Sequence, residues 1–256
     1  MHIFITGGTR GIGHGIVQEF LKRGHQIAFT GTSEKSIEKG QIGLKGEYLA
    51  LVCDVRYKDM IETAMKLAVN KFGDIDVWIN NAGVDQDRLS VSELTEEEIK
   101  RVVEINITGT MLGTSVALEQ MKKQGQGIVY NFEGLGSNNM VIPKTSIYGT
   151  SKRAITYFSK AARKEIKDIP NINVGTIQPG MVFTDLLLKN LGNDGMKIAR
   201  IIGNDVEYVT TRVVSGILNK KMRINIMSNA LLTWRFLTSP FLKRNKNINL
   251  NNIKNN

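Results

Sequence analysis

The sequence predicts a single α/β domain, a doubly wound parallel sheet with helices on both faces. Six short apolar runs, near residues 2–6, 26–30, 48–52, 76–79, 127–132 and 172–177, alternate with segments of helical period. The first run leads directly into a glycine-rich turn, Gly7-Gly8-Thr9-Arg10-Gly11-Ile12-Gly13. At 256 residues, with 41% hydrophobic and 7% aromatic content, the chain has enough apolar material for one large core and gives no sign of two.

His2–Thr6 is read as a short buried strand, followed past the turn by an amphipathic helix through Ile16, Val17, Phe20 and Leu21. Glycines allow the backbone to turn tightly and approach a pyrophosphate, and the free amides of the following helix add hydrogen bonds and positive dipole. An ordinary strand-to-helix turn has the same composition. The position after the first strand of an alternating β/α chain favours a dinucleotide site.

The second strand ends Ala28-Phe29-Thr30-Gly31-Thr32-Ser33, with no Asp or Glu before Glu34. An acidic residue there usually holds the ribose 2′-hydroxyl of NAD, whereas a 2′-phosphate needs cations and hydroxyls. Arg10, Thr32 and Ser33 therefore favour NADPH, with NAD kept open because Arg10 can equally be a solvated side chain. Asp54 and Val55 follow the third strand, where Asp54 reads either as an adenine contact or as a turn residue.

Tyr148 and Lys152 are four residues apart on a predicted helix and project side by side. A phenol has an unperturbed pKa near ~10, and an adjacent ammonium favours the phenolate and lowers that value. Protonating the alkoxide formed when hydride adds to a carbonyl needs such a donor. Of the six tyrosines only Tyr148 has a lysine at i+4, with Tyr208 and Arg212 coming close. A pair of this kind alone is more often a solvated helix face. The glycine turn tips the balance.

With these motifs in order, residues 2 to about 227 resemble the classical short-chain dehydrogenase/reductase family. The resemblance rests on Thr6-Gly7-x-x-x-Gly11-x-Gly13, Asn80-Asn81-Ala82-Gly83, Asn106 in Glu104-Ile105-Asn106-Ile107, Tyr148 with Lys152, and Pro179-Gly180-Met181-Val182-Phe183-Thr184. It implies a Rossmann-type fold. It also implies a nicotinamide cofactor held by Gly7, Thr9, Arg10, Gly11, Ile12, Gly13, Thr32, Ser33, Asp54, Val55, Asn80, Ala82, Gly83, Tyr148, Lys152, Pro179, Gly180, Val182 and Thr184. Tyr148 is then the general acid in reduction and base in oxidation. Lys152 lowers its pKa and holds the nicotinamide ribose, and Asn106 either binds a relay water or packs a helix kink.

One element departs from the family pattern. A serine normally stands thirteen residues before the tyrosine, where this chain has Leu135, and aligning on the strand instead puts Glu133-Gly134 in place of the usual serine pair. Ser137, the nearest hydroxyl, reads equally as a catalytic replacement or an ordinary loop serine. Glu133 reads as a substrate contact or a loop cap. Asn131 to Ser137, Ile147 to Lys152 and Pro179 to Leu187 also resemble the chlorophyll b reductase branch of the family, which implies NADPH-dependent reduction of a formyl group. The substrate expectation is kept to a lipophilic aldehyde or ketone, or the corresponding alcohol. Leu186, Leu187 and Leu188, in an expected lid from Met181 to Leu191, point the same way or else belong to the core. The rival expectation is a cofactor-binding regulatory or scaffold protein that lost turnover along with its serine.

Cys53 is the one cysteine, which rules out an internal disulfide, and His2, His14 and His25 are too scattered for a metal site. The start of the chain at its first strand and the lack of an eighteen-residue apolar run lead to the expectation of a cytoplasmic protein without a leader. After Glu207 there are nine basic residues and no acidic ones, so this tail holds nine of the net ten positive charges. Residues 228–244 mix these cations with Leu231, Leu232, Trp234, Phe236, Leu237, Phe241 and Leu242. They read as a helix on an anionic membrane surface or, preferably, as one docked on the core or on a partner copy. Residues 1–227 are the expected catalytic domain and 245–256 an expected disordered tail. A homo-oligomer is expected, although the tail shows no glycine-ended seventh strand. No nucleic-acid motif accompanies the charge.

Overall fold

The structure, a computed structural model, describes residues 1–239. Its first strand, β1 (His2–Thr6), is buried along its whole length, as expected of a strand covered on both faces. Side chains alternate across it. Ile3 and Ile5 enter one apolar core and Phe4 enters the other.

The chain continues through α1 (Gly11–Lys22), β2 (Gln26–Gly31), α2 (Glu34–Gln41), β3 (Tyr48–Val52), α3 (Lys58–Phe72) and β4 (Val77–Asn80). After α4 (Glu96–Val102), a π-helical stretch Val103–Thr108 and α5 (Gly109–Gln124) come β5 (Gly127–Phe132), α6 (Ser146–Glu165) and β6 (Ile172–Gln178). The expected strands are all present, within a residue of their predicted ends. Beyond them lie α7 (Asp185–Lys189), α8 (Asn193–Ile202), α9 (Val206–Leu218), β7 (Arg223–Asn225) and α10 (Asn229–Thr238).

All seven strands pair in parallel in the order β3-β2-β1-β4-β5-β6-β7. A seventh strand is present although, as the sequence indicates, it is not glycine-ended. Ile177 pairs with Ile224, and with three residues and one buried side chain β7 is too short to leave a periodic signal.

One core packs α1 and α9 on the sheet through Ile16, Phe20, Val209, Val213 and Ile217. The other packs α3, α5 and α6 through Ile61, Met65, Val116, Met121, Ala162 and Ile166, around Phe4 stacked on Trp78 at a centroid distance of 4.0 Å. Each such Ile, Val, Phe or Met side chain stabilises the fold by roughly 1.5–3 kcal/mol on burial.

The order of connection reverses between β1 and β4, where Thr6 and Asn80 pair side by side. In a doubly wound sheet, the crevice outside the strand ends at this reversal is where ligands bind.

α10 lies against α8, and its Arg235 is buried, donating to the carbonyl of Ile202 at 2.9 Å and to Asn204 Oδ1 at 2.8 Å. This cation of the basic tail therefore faces the protein. Phe241, Leu242, Lys243, Arg244, Lys246, Lys254 and the expected tail 245–256 lie outside the described residues. Among the described residues, no helix is long and apolar enough to cross a membrane.

Candidate active site

The glycine turn leaves β1 with Gly7 at φ +68°. A Cβ on Gly13 would stand 2.2 Å from the Gly7 carbonyl oxygen, so the turn can close only as bare backbone. Arg10 caps α1 without a side-chain bond, and no acidic residue lies in the first helical turn, which leaves that end positive. This donor set fits a pyrophosphate. Thr9 packs against Gly31 and Gly40, joining the turn to the end of β2. Arg10, Thr32 and Ser33 are exposed there, and the Ser33 hydroxyl also accepts Ser36 N–H as the cap of α2. Ile12 is partly buried against the core below.

Strand β4 brings in the next group. Thr6 Oγ1 accepts the backbone N–H groups of Asn81 and Ala82 at 3.1 Å, and Asn81 Nδ2 donates to the carbonyls of Thr6 and Gly7 at 3.0 and 2.8 Å. The glycine turn and the Asn80–Gly83 segment are thus one braced unit. Asn80 itself points into the core. It accepts from Trp78 Nε1 at 2.8 Å and donates to Thr114 Oγ1 at 3.0 Å and Asn131 Oδ1 at 2.8 Å. Its side chain is spent on the sheet, so a cofactor contact expected from Asn80 falls to its backbone. Val55 is also turned into the core, against Gly109. The carboxylate of Asp54 is gripped by Arg56 at 2.6 Å, and that guanidinium holds it below the usual carboxylate range.

Asn106 lies in the π-helical stretch and is fully buried. Its Oδ1 accepts Val84 N–H at 2.8 Å, and its Nδ2 donates to the Val84 carbonyl at 2.9 Å and to Ser151 Oγ at 3.1 Å. The kink and the buried amide therefore go together, with the side chain locking the loop after β4. A Cβ on Gly83 would lie 3.3 Å from Asn106 Oδ1 and 3.7 Å from Lys152 Nζ, so these residues meet at one point.

Helix α6 supplies Tyr148 and Lys152. Lys152 is buried, with Nζ donating to the Phe132 carbonyl at 3.3 Å and lying 5.6 Å from the centroid of the Tyr148 ring. A Cβ on Gly134 would stand 2.8 Å from the Tyr148 hydroxyl. On the far side, the segment after β6 turns at Gly180 (φ +75°), beyond buried Pro179. It bridges Val182 to Asn204 and brings Thr184 Cγ2 within 3.5 Å of where a Gly11 Cβ would be. The turn, the β4 segment, Tyr148, Lys152 and Thr184 thus edge one crevice.

Ser137 is not part of it. Its hydroxyl accepts Gly134 N–H at 3.0 Å, donates to the Lys152 carbonyl at 3.2 Å and is buried. It staples the loop to α6, which corrects the reading of Ser137 as the replacement catalytic serine.

The profile of the family described as short chain dehydrogenase matches residues 1–194. The chain belongs to that family. Among similar proteins, this chain is 32% identical over 196 residues to the chloroplastic chlorophyll(ide) b reductase NOL of Oryza sativa subsp. japonica, covering 73% of the chain and 57% of the relative. It thus spans little more than half the length of that curated relative. Its likeness to this branch is the one the sequence resemblance identified. The 3-ketoacyl-(acyl-carrier-protein) reductase from Brucella melitensis, complexed with NADH, superposes with a TM-score of 0.80 at 20% identity, over 88% of this chain and 96% of its own. An actinorhodin polyketide ketoreductase variant with NADPH gives 0.80 at 24% identity, over 90% and 96%. At these identities the likeness concerns the fold.

The charges around Tyr148 differ from the expectation that Lys152 would pull its pKa down. Burial raises the phenol above its ordinary value, the negative charge of Asp85 adds to the rise, and Arg88 opposes it. Burial in turn pulls Lys152 down to about 8, against the charges of Asp85 and Glu133.

The residues that sequence reasoning missed lie in the loop after β4. Gln86 is fully buried, and its Oε1 accepts Tyr148 N–H at 2.8 Å, capping α6 next to the tyrosine. Asp85 is held by Arg88 at 2.6 and 3.0 Å. From the expected lid, Asn190 Nδ2 donates to the Gln86 carbonyl at 3.0 Å, and Lys189 approaches Asp87 at 3.5 Å. The Asp85/Arg88 spacing of i, i+3 was the one visible signal, and it does not point to Tyr148. Leu186 is exposed, Leu187 and Leu188 are half-buried, and none belongs to either core.

Proposed function

We propose that this dehydrogenase is an NADPH-dependent reductase of an aldehyde or ketone on a lipophilic small molecule, with Tyr148 as its proton donor. The observation that carries this reading is the Tyr148 hydroxyl. It is kept protonated by burial, lies against the bare backbone of Gly134, and has Lys152 one helical turn away at the edge of the crevice. A phenol raised in pKa holds its proton until a developing alkoxide asks for it, which suits the reduction direction.

The glycine turn and the α1 N-terminus would hold the cofactor pyrophosphate. Arg10, Thr32 and Ser33 would hold its 2′-phosphate, and Pro179 to Thr184 would hold the nicotinamide end. When bound, the cofactor supplies the hydride that converts C=O to CH–O. Tyr148 then gives its hydroxyl proton to the carbonyl oxygen, and the Lys152 ammonium stabilises the phenolate left behind. Asn106 holds the Val84 loop that carries Asp85 and Gln86 to this helix end. The half-buried leucines of α7 support an apolar substrate.

The commitment of Ser137 to the loop favours a second reading, a cofactor-binding scaffold with little turnover. Tyr148→Phe separates the two. Assayed with NADPH against a panel of lipophilic aldehydes, it is expected to lose at least about a thousandfold in kcat while keeping its fold and its thermal shift with NADPH. An unchanged kcat sinks the proposal, and a thermal shift with NADPH but no turnover in the parent protein selects the scaffold.

A further inference from the structure

Where the resemblance puts a pair of serines, the chain carries Glu133, and its environment is unusual. It is 3% exposed, its Oε1 accepts from Thr156 Oγ1 at 2.9 Å, and its Oε2 is buried without a hydrogen-bond partner among the described residues. A carboxylate sealed off in this way is costly unless a positive charge is near. Two features bind it to Lys152. Glu133 directly follows Phe132, whose carbonyl holds Lys152 Nζ, and Thr156 lies one helical turn beyond Lys152, on the same face of α6.

Lys152 has the matching deficit. An ammonium carries three N–H donors, and among the described residues its one acceptor is the Phe132 carbonyl. The titratable or charged groups facing it are Asp85 from the loop after β4, Glu133 from the end of β5 and Tyr148 on its own helix. Asp85 is already matched by a two-pronged bond to Arg88. Glu133 has no cationic side chain in contact among the described residues.

We propose that Glu133 is a positioning residue that acts through Lys152, its carboxylate serving as the fixed counter-ion that keeps the buried lysine an ammonium. The proposal rests on the role given to Lys152 above and deepens it. It replaces both sequence readings of Glu133, substrate contact and loop cap, with a role through α6, to which the side chain is bonded. Burial pulls Lys152 down to about 8 while the Glu133 charge opposes that pull. Removing the charge therefore lets the lysine lose its proton nearer neutrality.

The test needs no substrate and no cofactor. The lysine Cε resonances of 13C-labelled protein are titrated by NMR in the parent chain, Glu133→Gln and Glu133→Asp, with Lys152 assigned from its loss in Lys152→Met. Glu133→Gln is expected to lower the Lys152 midpoint by about one pH unit, a tenfold loss of proton affinity. Glu133→Asp should restore most of it. An unchanged midpoint in Glu133→Gln overturns the proposal. If that variant does not fold, the parent protein decides alone. The Glu133 Cδ resonance must show a second inflection at the Lys152 midpoint, and its absence overturns the proposal equally. Failure of NADPH to bind would sink the functional reading without touching this coupling.

Discussion

Gly134 is placed so that a Cβ on it would stand 2.8 Å from the hydroxyl oxygen of Tyr148, inside contact distance. The same methyl would press on Lys152 Cγ and Cδ at 3.1 and 3.3 Å. Gly134→Ala should therefore push the phenol aside. It should lower kcat about ten- to a hundredfold, because about 1 Å of misplacement costs on that order, with an unchanged far-ultraviolet circular dichroism spectrum. Gly134→Ser, which restores a hydroxyl near the usual family place, is expected to do no better. A gain in kcat with serine would show that the tyrosine tolerates the contact.

Lys152→Met is expected to stabilise the fold at neutral pH while abolishing turnover. Burial pulls the lysine down to about 8 in the folded chain from its ordinary value of 10.5. Between those values the unfolded chain binds the extra proton, so parent stability rises as pH is raised through that window. Below about pH 8 the full penalty of the buried ammonium is present, on the order of a few kcal/mol. Chemical denaturation at pH 7 and pH 10 should show the advantage of the methionine variant shrinking at the higher pH. A constant difference would mean that the lysine is not penalised by burial.

Asn106→Ala leaves the N–H and carbonyl of Val84 without their partner. A loss of about 1–3 kcal/mol is expected in denaturant unfolding, with hydrogen exchange at Val84 becoming faster. Asn106→Asp keeps the acceptor and loses the donor, so it should fall between the two. Equal exchange at Val84 in all three proteins would show that the loop is held elsewhere.

Asn190→Ala removes the bond from the segment after α7 to the Gln86 carbonyl. A neutral hydrogen bond contributes about 1 kcal/mol net, so KM for the carbonyl substrate should rise about fivefold with NADPH affinity unchanged. A change confined to NADPH affinity would place the grip of Asn190 on the cofactor side instead.

The fold was legible because β1, β2, β4 and β5 are buried runs set between helices of clear period, and the Gly7–Gly13 turn fixes which strand is first. Tyr148 and Lys152 were legible from a spacing, since helical geometry makes i and i+4 neighbours. The commitments of individual side chains were not. Nothing in the sequence says that the Asn80 amide turns toward Trp78 and Asn131 while Asn81 braces the glycine turn, because neighbours on a strand face opposite sides and register decides which is which. Ser137 looked available since its partners, Gly134 N–H and the Lys152 carbonyl, are backbone groups that carry no sequence signature. Gln86 was invisible for the same reason. It is separated by 62 positions from the Tyr148 N–H it accepts.

The buried guanidinium of Arg235 has a practical consequence for handling the protein. It joins α10 to Asn204, whose backbone pairs with Met181 and Phe183 just after Pro179 and Gly180. A proteolytic fragment cut ahead of Ser228 would keep every sequence motif on which the family assignment rests. It would nevertheless lose the strut behind the segment that flanks the crevice. Such a fragment would pass as the right protein by peptide mapping of its motifs and still assay poorly, so the intact mass of a preparation belongs beside any activity reported for it.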